Sequence, residues 1–250
     1  MNKQFFLSDI YNSIPIKRAR KKNWKIATDC SGIEAPIVAL KTLNMRCSHI
    51  WSCDNNPIVK QTILNNFQPS IFYDNIFDRQ NDSLPEIDAY ICGFPCQSFS
   101  AAGRQEGFNK KDGEGLIFFK CIEVIKHKKP AFFILENVPG LITHDQGRTF
   151  KHIQYYLGKL KDYNVSYKIL NTCDFGIPQK RNRIYIIGIN KGYQRKAFVF
   201  PSYAGNTKSI DEILESRTPS RQKILKTAKQ SIVNSKTEKL DIKKKDNWII

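Results

Sequence analysis

The chain predicts an α/β fold, a mostly parallel sheet with helices on both faces, and three observations lead there. Between residues 24 and 190, short apolar runs alternate with longer amphipathic ones, the pattern of strand, helix, strand. Turn residues mark the breaks, as at Ser31-Gly32 and along the Gly-rich stretch from Ala101 to Gly115. A length of 250 residues with 41% hydrophobic composition supplies one sizeable core. A basic extension, residues 1–23, precedes that domain, and a basic tail, residues 191–250, follows it.

The elements are expected in this order. Trp24 to Cys30 forms a first strand, Ser31-Gly32 a turn, and a helix then runs to about Leu43. Cys47 to Cys53 is a second strand, and Pro57 to Phe67 is a helix with proline at its first turn, where the missing N–H costs nothing. Short strands follow at Ser70 to Tyr73 and Asp88 to Cys92. Ala101 to Gly115 carries Gly at 103, 107, 113 and 115 and reads as a mobile loop of lid length. Leu116 to Lys126 is a helix, Ala131 to Leu135 a buried strand, Thr149 to Leu160 a helix, and Val165 to Leu170 and Ile184 to Ile189 are the last strands. Beyond Gly192 the periodicity dissolves, leaving short helices at most.

Charge and cysteine usage narrow the function. The net charge is +17, with six basic residues among the nine from Lys17 to Lys25, and 14 Lys/Arg against 6 Asp/Glu from Lys191 to Ile250. Such a surplus favours a polyanion as partner, and a phosphate backbone is the usual one. A lysine-rich solvated surface is the plain alternative. Seven cysteines without CxxC spacing argue against a disulfide framework and a zinc site, and the four histidines make neither HxxxH nor HExxH, so no metal is expected. No apolar run approaches the roughly 18 to 20 residues of a membrane span, and Met1 to Tyr11 lacks a signal pattern, so a soluble intracellular protein is expected.

Four groups of residues carry chemistry. Cys96 lies in Gly93-Phe94-Pro95-Cys96-Gln97-Ser98-Phe99-Ser100, directly after a buried strand, so a thiol stands at a strand end among polar neighbours. A thiol attacks as thiolate and needs such a setting; most Pro-Cys pairs in loops are nevertheless structural. Thr28-Asp29-Cys30-Ser31-Gly32-Ile33-Glu34 puts a tight turn and a helix start at the sheet's carboxyl edge, where doubly wound folds bind ligands. Asp54 ends the second strand, where a carboxylate suits a ribose diol or caps the next helix, and Asp74 closes the third. Glu136 follows four apolar strand residues and opens Glu136-Asn137-Val138; it is either a strand-end acid in solvent or a partly desolvated one, whose raised pKa lets it hold a proton near neutrality. Gln179-Lys180-Arg181-Asn182-Arg183 sets two guanidinium groups on one face of an extended segment, able to share a cleft, although such clusters more commonly make surface or phosphate contacts.

In this order the motifs resemble those of the cytosine-C5 DNA methyltransferases, over residues 24–190. Gly93 to Ser100 matches the nucleophile motif, Glu136-Asn137-Val138 the proton-handling motif, and Gly176 to Arg183 the arginine motif. The resemblance implies a Rossmann-like S-adenosylmethionine-dependent methyltransferase sheet acting on double-stranded DNA. Cys96 would add to C6 of a flipped cytosine, Glu136 would hold N3 and the exocyclic amine, Arg183 would hold the base oxygen and orient Glu136, and Arg181 would position the thiol or a phosphate. The cofactor would lie against Ser31, Gly32, Ile33 and Glu34, with Asp54 on the ribose, Asp74 on the adenine, and Asn55, Asn75 and Pro95 beside them. S-adenosylhomocysteine would be the product. Gln97, Ser100, Asn137 and Val138 would line the substrate side. The family's usual Phe is replaced by Cys30, and its glycine pair by Glu34 and Ala35. The late motifs and a full target-recognition region have no counterpart after Asn190. Four readings follow: an enzyme with a reduced recognition element in its tail, the catalytic half of a split enzyme with a second polypeptide, a degenerate copy that binds DNA without turnover, or a transfer-RNA methyltransferase of the same family.

Overall fold

A computed structural model describes residues 22–95, 116–202 and 209–210. Seven strands form one sheet in the order β3-β2-β1-β4-β5-β7-β6. They are β1 (Trp24–Asp29), β2 (Cys47–Cys53), β3 (Ile71–Tyr73), β4 (Ala89–Cys92), β5 (Phe132–Asn137), β6 (Tyr163–Asn171) and β7 (Asn182–Asn190). The five from β3 to β5 are parallel, whereas β7 pairs antiparallel with both β5 and β6. The chain moves outward from β1 to β3 and then returns to lay β4 on the other side of β1. That reversal makes a switch point between the carboxyl ends of β1 and β4, the crevice where open α/β sheets place their ligands.

Period-two alternation explains both cores. Ala27, Tyr90, Cys92, Phe133, Leu135, Ile184 and Ile186 face one side, under α3 (Ile117–Lys128) and α4 (Arg148–Gly158). Ile26, Ala89, Ile91, Phe132, Ile134, Ile187 and Ile189 face the other, with Ile37 and Leu40 of α1 (Ala35–Thr42). The helix α2 (Pro57–Asn66) starts on proline, and the Asn56 side chain accepts from the Ile58 N–H at 2.9 Å, capping its first turn. One bulge matters for the site: Ile26 pairs with His49 but Ala27 with Trp51, so Ile50 is the extra residue. The slip turns Trp51 into the core beside Ala27 and sets Ser52 opposite Thr28.

Element ends depart from expectation for identifiable reasons. The first strand stops at Asp29 because Cys30 takes φ 48, outside the extended region. Both antiparallel strands run past their apolar stretches into Asn171 and Asn182, and β5 runs on to Glu136 and Asn137, since ladder pairing continues where side chains are polar. The predicted loop from Ala101 to Gly115, the extension 1–21 and most of the tail lie outside the described residues.

Packing at one cross-strand pair is tight enough to test. Gly188 on β7 sits opposite Phe133, and a Cβ added there would meet the ring at 2.1 and 2.2 Å. Gly188→Ala is expected to destabilise by about 1–3 kcal/mol, the usual cost of overpacking. An unchanged denaturant midpoint would refute this.

Candidate active site

The carboxyl edge of the sheet collects, among the described residues, Ser31, Asp54, Gly93, Glu136 and Arg183, by two routes. Parallel strands β1, β2, β4 and β5 all end there, delivering Ser31, Asp54, Gly93 and Glu136. Strand β7 begins there because it runs the opposite way, so Arg183 arrives from its amino end. Tyr185 pairs with Glu136, and Arg183 is two residues further out on the same face, a diagonal neighbour within reach of long side chains. Arg183 Nε lies 3.0 Å from Glu136 Oε1, with the two side chains 21% and 27% exposed.

The half-buried Glu136 therefore feels opposing influences. Burial raises its pKa above the ordinary carboxylate value, while Arg183 and Arg181 pull it down, and burial prevails. Its other oxygen, Oε2, lies 3.5 Å from the position a Cβ would take on Gly93, so the strand leading to Pro95 passes against the carboxylate. Asn137 reinforces this approach. Its Nδ2 donates to the Phe94 carbonyl at 3.2 Å, and its Oδ1 accepts from the Val138 N–H at 2.8 Å. Asn137 thus fastens the segment before Cys96 to the end of β5. Cys96, Gln97 and Ser100 themselves lie outside the described residues.

The arginine segment is pinned at its base. Asn171 Oδ1 accepts from the Cys173 and Arg181 N–H groups, both at 3.2 Å, and the Thr172 N–H donates to the Arg181 carbonyl at 3.1 Å. Thr172 Oγ1 also donates to the Gln179 carbonyl. Arg181 is exposed, Arg183 partly buried.

On the other side of the switch point, the Ser31-Gly32 turn is tied to β2. The Ser31 N–H donates to the Cys53 carbonyl at 3.1 Å, and Ser31 Oγ accepts from the Cys53 N–H at 3.0 Å. Gly32 takes φ 53, and nothing lies within 4 Å of where its Cβ would be, so the turn faces open space. The Asp54 carboxylate accepts from the Gly32 and Asn56 N–H groups, each at 3.1 Å. A carboxylate has about four acceptor positions, so capacity for hydroxyl donors remains. This open, oxygen-rich turn fits a nucleoside cofactor. Asp74 stands exposed at the end of β3, with Lys60 Nζ 2.7 and 2.8 Å from its two oxygens. Asn75 Oδ1 accepts from the Phe77 N–H at 3.0 Å, Asn55 is exposed, and Pro95 is partly buried. Ile33 is 72% exposed. Glu34 differs from its neighbours: its side chain is wholly buried and bonded to β1 and β2, so only its backbone faces the turn.

Sequence reasoning passed over the group beneath this turn. Asp29 is buried and accepts from Trp51 Nε1 at 3.1 Å, Tyr90 Oη at 2.5 Å and Arg79 Nη1 at 2.6 Å, with a second contact from Arg79 Nη2. The Arg79 guanidinium is also stacked over the Trp51 and Tyr73 rings, 5.6 and 5.4 Å from their centroids. One acid thereby holds β1, β2, β4 and the segment after β3 together. An aspartate inside an otherwise apolar strand was a legible signal; Arg79, far along the chain, carried none.

Comparison with known proteins shows the family. The C-5 cytosine-specific DNA methylase family model matches residues 28–249. The type II methyltransferase M.HaeII of Haemophilus aegyptius is 42% identical over 170 residues, 68% of this chain and 51% of the relative. M.NgoBI of Neisseria gonorrhoeae is 40% identical over the same shares. The chain thus spans about half the length of these curated relatives, 51% of each. Among solved structures, the Entamoeba histolytica methyltransferase EhMeth superposes with a TM-score of 0.63 at 19% identity, over 79% of this chain and 61% of that one. The S. pombe Dnmt2 methyltransferase gives 0.58 at 20% identity, over 80% and 62%. These two share the fold. Motif order, sheet topology and the match over residues 28–249 together place this chain in the C-5 cytosine-specific DNA methylase family.

Proposed function

We propose that this chain is the catalytic part of an S-adenosylmethionine-dependent methyltransferase that modifies C5 of cytosine in double-stranded DNA. The observation that carries the reading is the Glu136–Arg183 contact of 3.0 Å beside Gly93, at the edge where the cofactor turn also opens. C5 of cytosine is a poor nucleophile, so the reaction begins with the Cys96 thiolate bonding to C6. The displaced electron pair moves toward N3, where protonated Glu136 donates a hydrogen bond or its proton. Arg183 holds Glu136 in place and offers its remaining N–H groups to the base oxygen; Arg181 stands ready for a phosphate or the thiol. Bound S-adenosylmethionine supplies the electrophilic methyl group that C5 takes, leaving S-adenosylhomocysteine. Water or hydroxide takes the C5 proton, the C–H pair re-forms the C5–C6 double bond as the Cys96 sulfur leaves as thiolate, and any proton given to N3 returns to Glu136. Ser31, Gly32 and the backbone at Ile33 and Glu34 line the cofactor side, with Asp54 for the ribose, Asp74, Asn55 and Asn75 toward the adenine, and Pro95 between the two halves. Gln97, Ser100, Asn137 and Val138 complete the base side.

A mechanism-based trap tests this reading. Duplex DNA carrying 5-fluorocytosine, incubated with the purified chain and S-adenosylmethionine, should become covalently attached at Cys96, since fluorine cannot leave as the proton does. Absence of the adduct, both with the chain alone and after addition of cell extract, would overturn the proposal. In a second reading for specificity, a further polypeptide supplies target recognition. An adduct formed only with extract would support that reading.

The pH dependence is also determined in sign. Glu136 keeps its proton to higher pH than an ordinary carboxyl, because burial outweighs the two arginines. Activity that needs the protonated form falls as pH rises through that raised value. Arg183→Gln removes a cation that favours ionisation, so the alkaline limb of the rate profile should move to higher pH while the rate itself falls. A limb moving to lower pH would contradict the assignment.

A further inference from the structure

The two basic stretches marked in the sequence have no part in the chemistry above, yet the fold brings them to one place. Lys22 belongs to the run that opens at Lys17, and it stands just before β1. Lys191, Arg195 and Lys196 follow β7, which runs antiparallel to β5 and so ends at the sheet's amino edge, where β1 begins. Lys22 Nζ lies 5.7 Å from the centroid of the Tyr193 ring, so the two stretches meet there. Arg46 precedes β2 and Lys161 precedes β6 at the same edge. The Arg46 carbonyl accepts from the Trp24 N–H at 2.9 Å, and the Lys161 carbonyl from Lys191 Nζ at 2.8 Å.

This edge keeps its positive charge, because its acids are already engaged. Asp88 pairs with Lys22 at 2.6 Å, Glu86 with Lys128 at 3.4 Å and Asp162 with Lys129 at 3.3 Å, while Asp82 lies 3.0 Å from His127. Lys25, Arg46, Lys161, Lys191, Arg195 and Lys196 are exposed, and none forms a salt bridge with a described acid. A groove of about 490 Å³ opens among the last of these. Ile187 and Phe198 give it an apolar wall, Ser166 a hydroxyl, and Lys191, Arg195 and Lys196 its charge; no acid lines it. The turn that frames it is pinned beforehand. The Lys191 N–H donates to the Asp162 carbonyl at 2.8 Å, the Gly192 N–H to Asn190 Oδ1 at 3.0 Å, and Asn164 Nδ2 to Gln194 Oε1 at 2.5 Å. Cations and a hydroxyl beside an apolar wall suit a phosphodiester and its sugar.

We propose that the amino edge is a second DNA-binding surface, which holds a duplex by its phosphates apart from any duplex at the catalytic edge. The nine residues of β7 separate the two edges by about 30 Å. A stiff duplex lying across one edge does not turn to reach the other. A chain with both surfaces filled therefore bridges two duplexes, or two distant parts of one, whatever reaction the catalytic edge performs.

Sedimentation of the full chain with saturating duplex DNA of about two helical turns counts duplexes per chain, without cofactor or turnover. Two are expected for the unaltered protein and one for Arg195→Ala with Lys196→Ala. By fluorescence anisotropy, that variant should weaken the second binding step at least about ten-fold near 0.1 M salt and lower its salt slope by about 1.8, the loss of two neutralised phosphates. Arg195→Lys with Lys196→Arg keeps the charge and should keep both duplexes. Should circular dichroism show the alanine variant unfolded, Arg195→Gln with Lys196→Gln keeps the side-chain length and should show the same loss. Lys151→Ala with Lys168→Ala removes as much charge from exposed positions on α4 and β6 and should still bind two duplexes. Equal weakening of the second step by this control would mean diffuse attraction to a basic surface and overturn the inference, as would one duplex per chain for the unaltered protein. One duplex per chain, with binding to phosphatidylserine vesicles that the alanine variant loses, would assign the edge to a membrane and overturn it too.

Discussion

Substituting Cys96 with Ala is expected to abolish both methyl transfer and the fluorocytosine adduct, and Glu136→Gln to lower transfer by about 10²–10⁴-fold, the range of a lost general acid or a lost preorganised electrostatic contact. The two losses differ in kind. Without the sulfur there is no addition at C6, so neither product nor adduct forms. Without the carboxyl proton, addition still has its nucleophile, but charge developing toward N3 meets an amide that cannot give up a proton. A slow residual adduct is therefore expected for Glu136→Gln and none for Cys96→Ala. Arg183 supports the carboxyl from 3.0 Å, and Asn137 holds the backbone before the thiol through Phe94. Single-turnover rates measured with excess enzyme isolate the chemical step. Equal residual rates for the two variants would sink the division of labour proposed for them.

Arg79→Ala is expected to produce the largest loss of stability, about 3–5 kcal/mol, because it strips the partner from a buried charge. The two side chains are 3% and 0% exposed, so water is in no position to take over. Asp29 would keep Trp51 and Tyr90 as donors, yet its negative charge would stand uncompensated below the sheet's carboxyl edge. The change also frees the segment after β3, which Arg79 anchors, and with it Asn75 and Asp74. Chemical denaturation followed by circular dichroism should show the midpoint fall. Converting both members together, Arg79→Met with Asp29→Asn, should recover a substantial part of that loss, since no net charge is then left behind. A single variant as stable as the unaltered chain would mean that the pair is energetically idle.

Much of this architecture is written locally. The apolar runs Phe132 to Leu135 and Ile184 to Ile189 specify strands, and Pro57 with Asn56 starts α2 by chemistry within a few residues. Strand ends at Gly93 and Glu136 marked where reactive groups belong, because a polar residue after an apolar strand emerges at a sheet edge. The boundaries were less legible: β6 runs from Tyr163 to Asn171, beyond its apolar residues, since ladder hydrogen bonds are blind to side-chain polarity.

Sequence by itself determined the elements and the identity of the reactive groups, because each depends on neighbours only a few positions away. Tertiary structure alone decided that they meet. A parallel β7 would have carried Arg183 to the far edge of the sheet, and only its antiparallel insertion between β5 and β6 sets the guanidinium beside Glu136. The same holds beneath the turn, where a one-residue bulge in β2 orients Trp51 toward Asp29 and Ser52 toward Glu34. Strand direction and register are settled by burial summed over a whole sheet, a quantity no short stretch of chain contains.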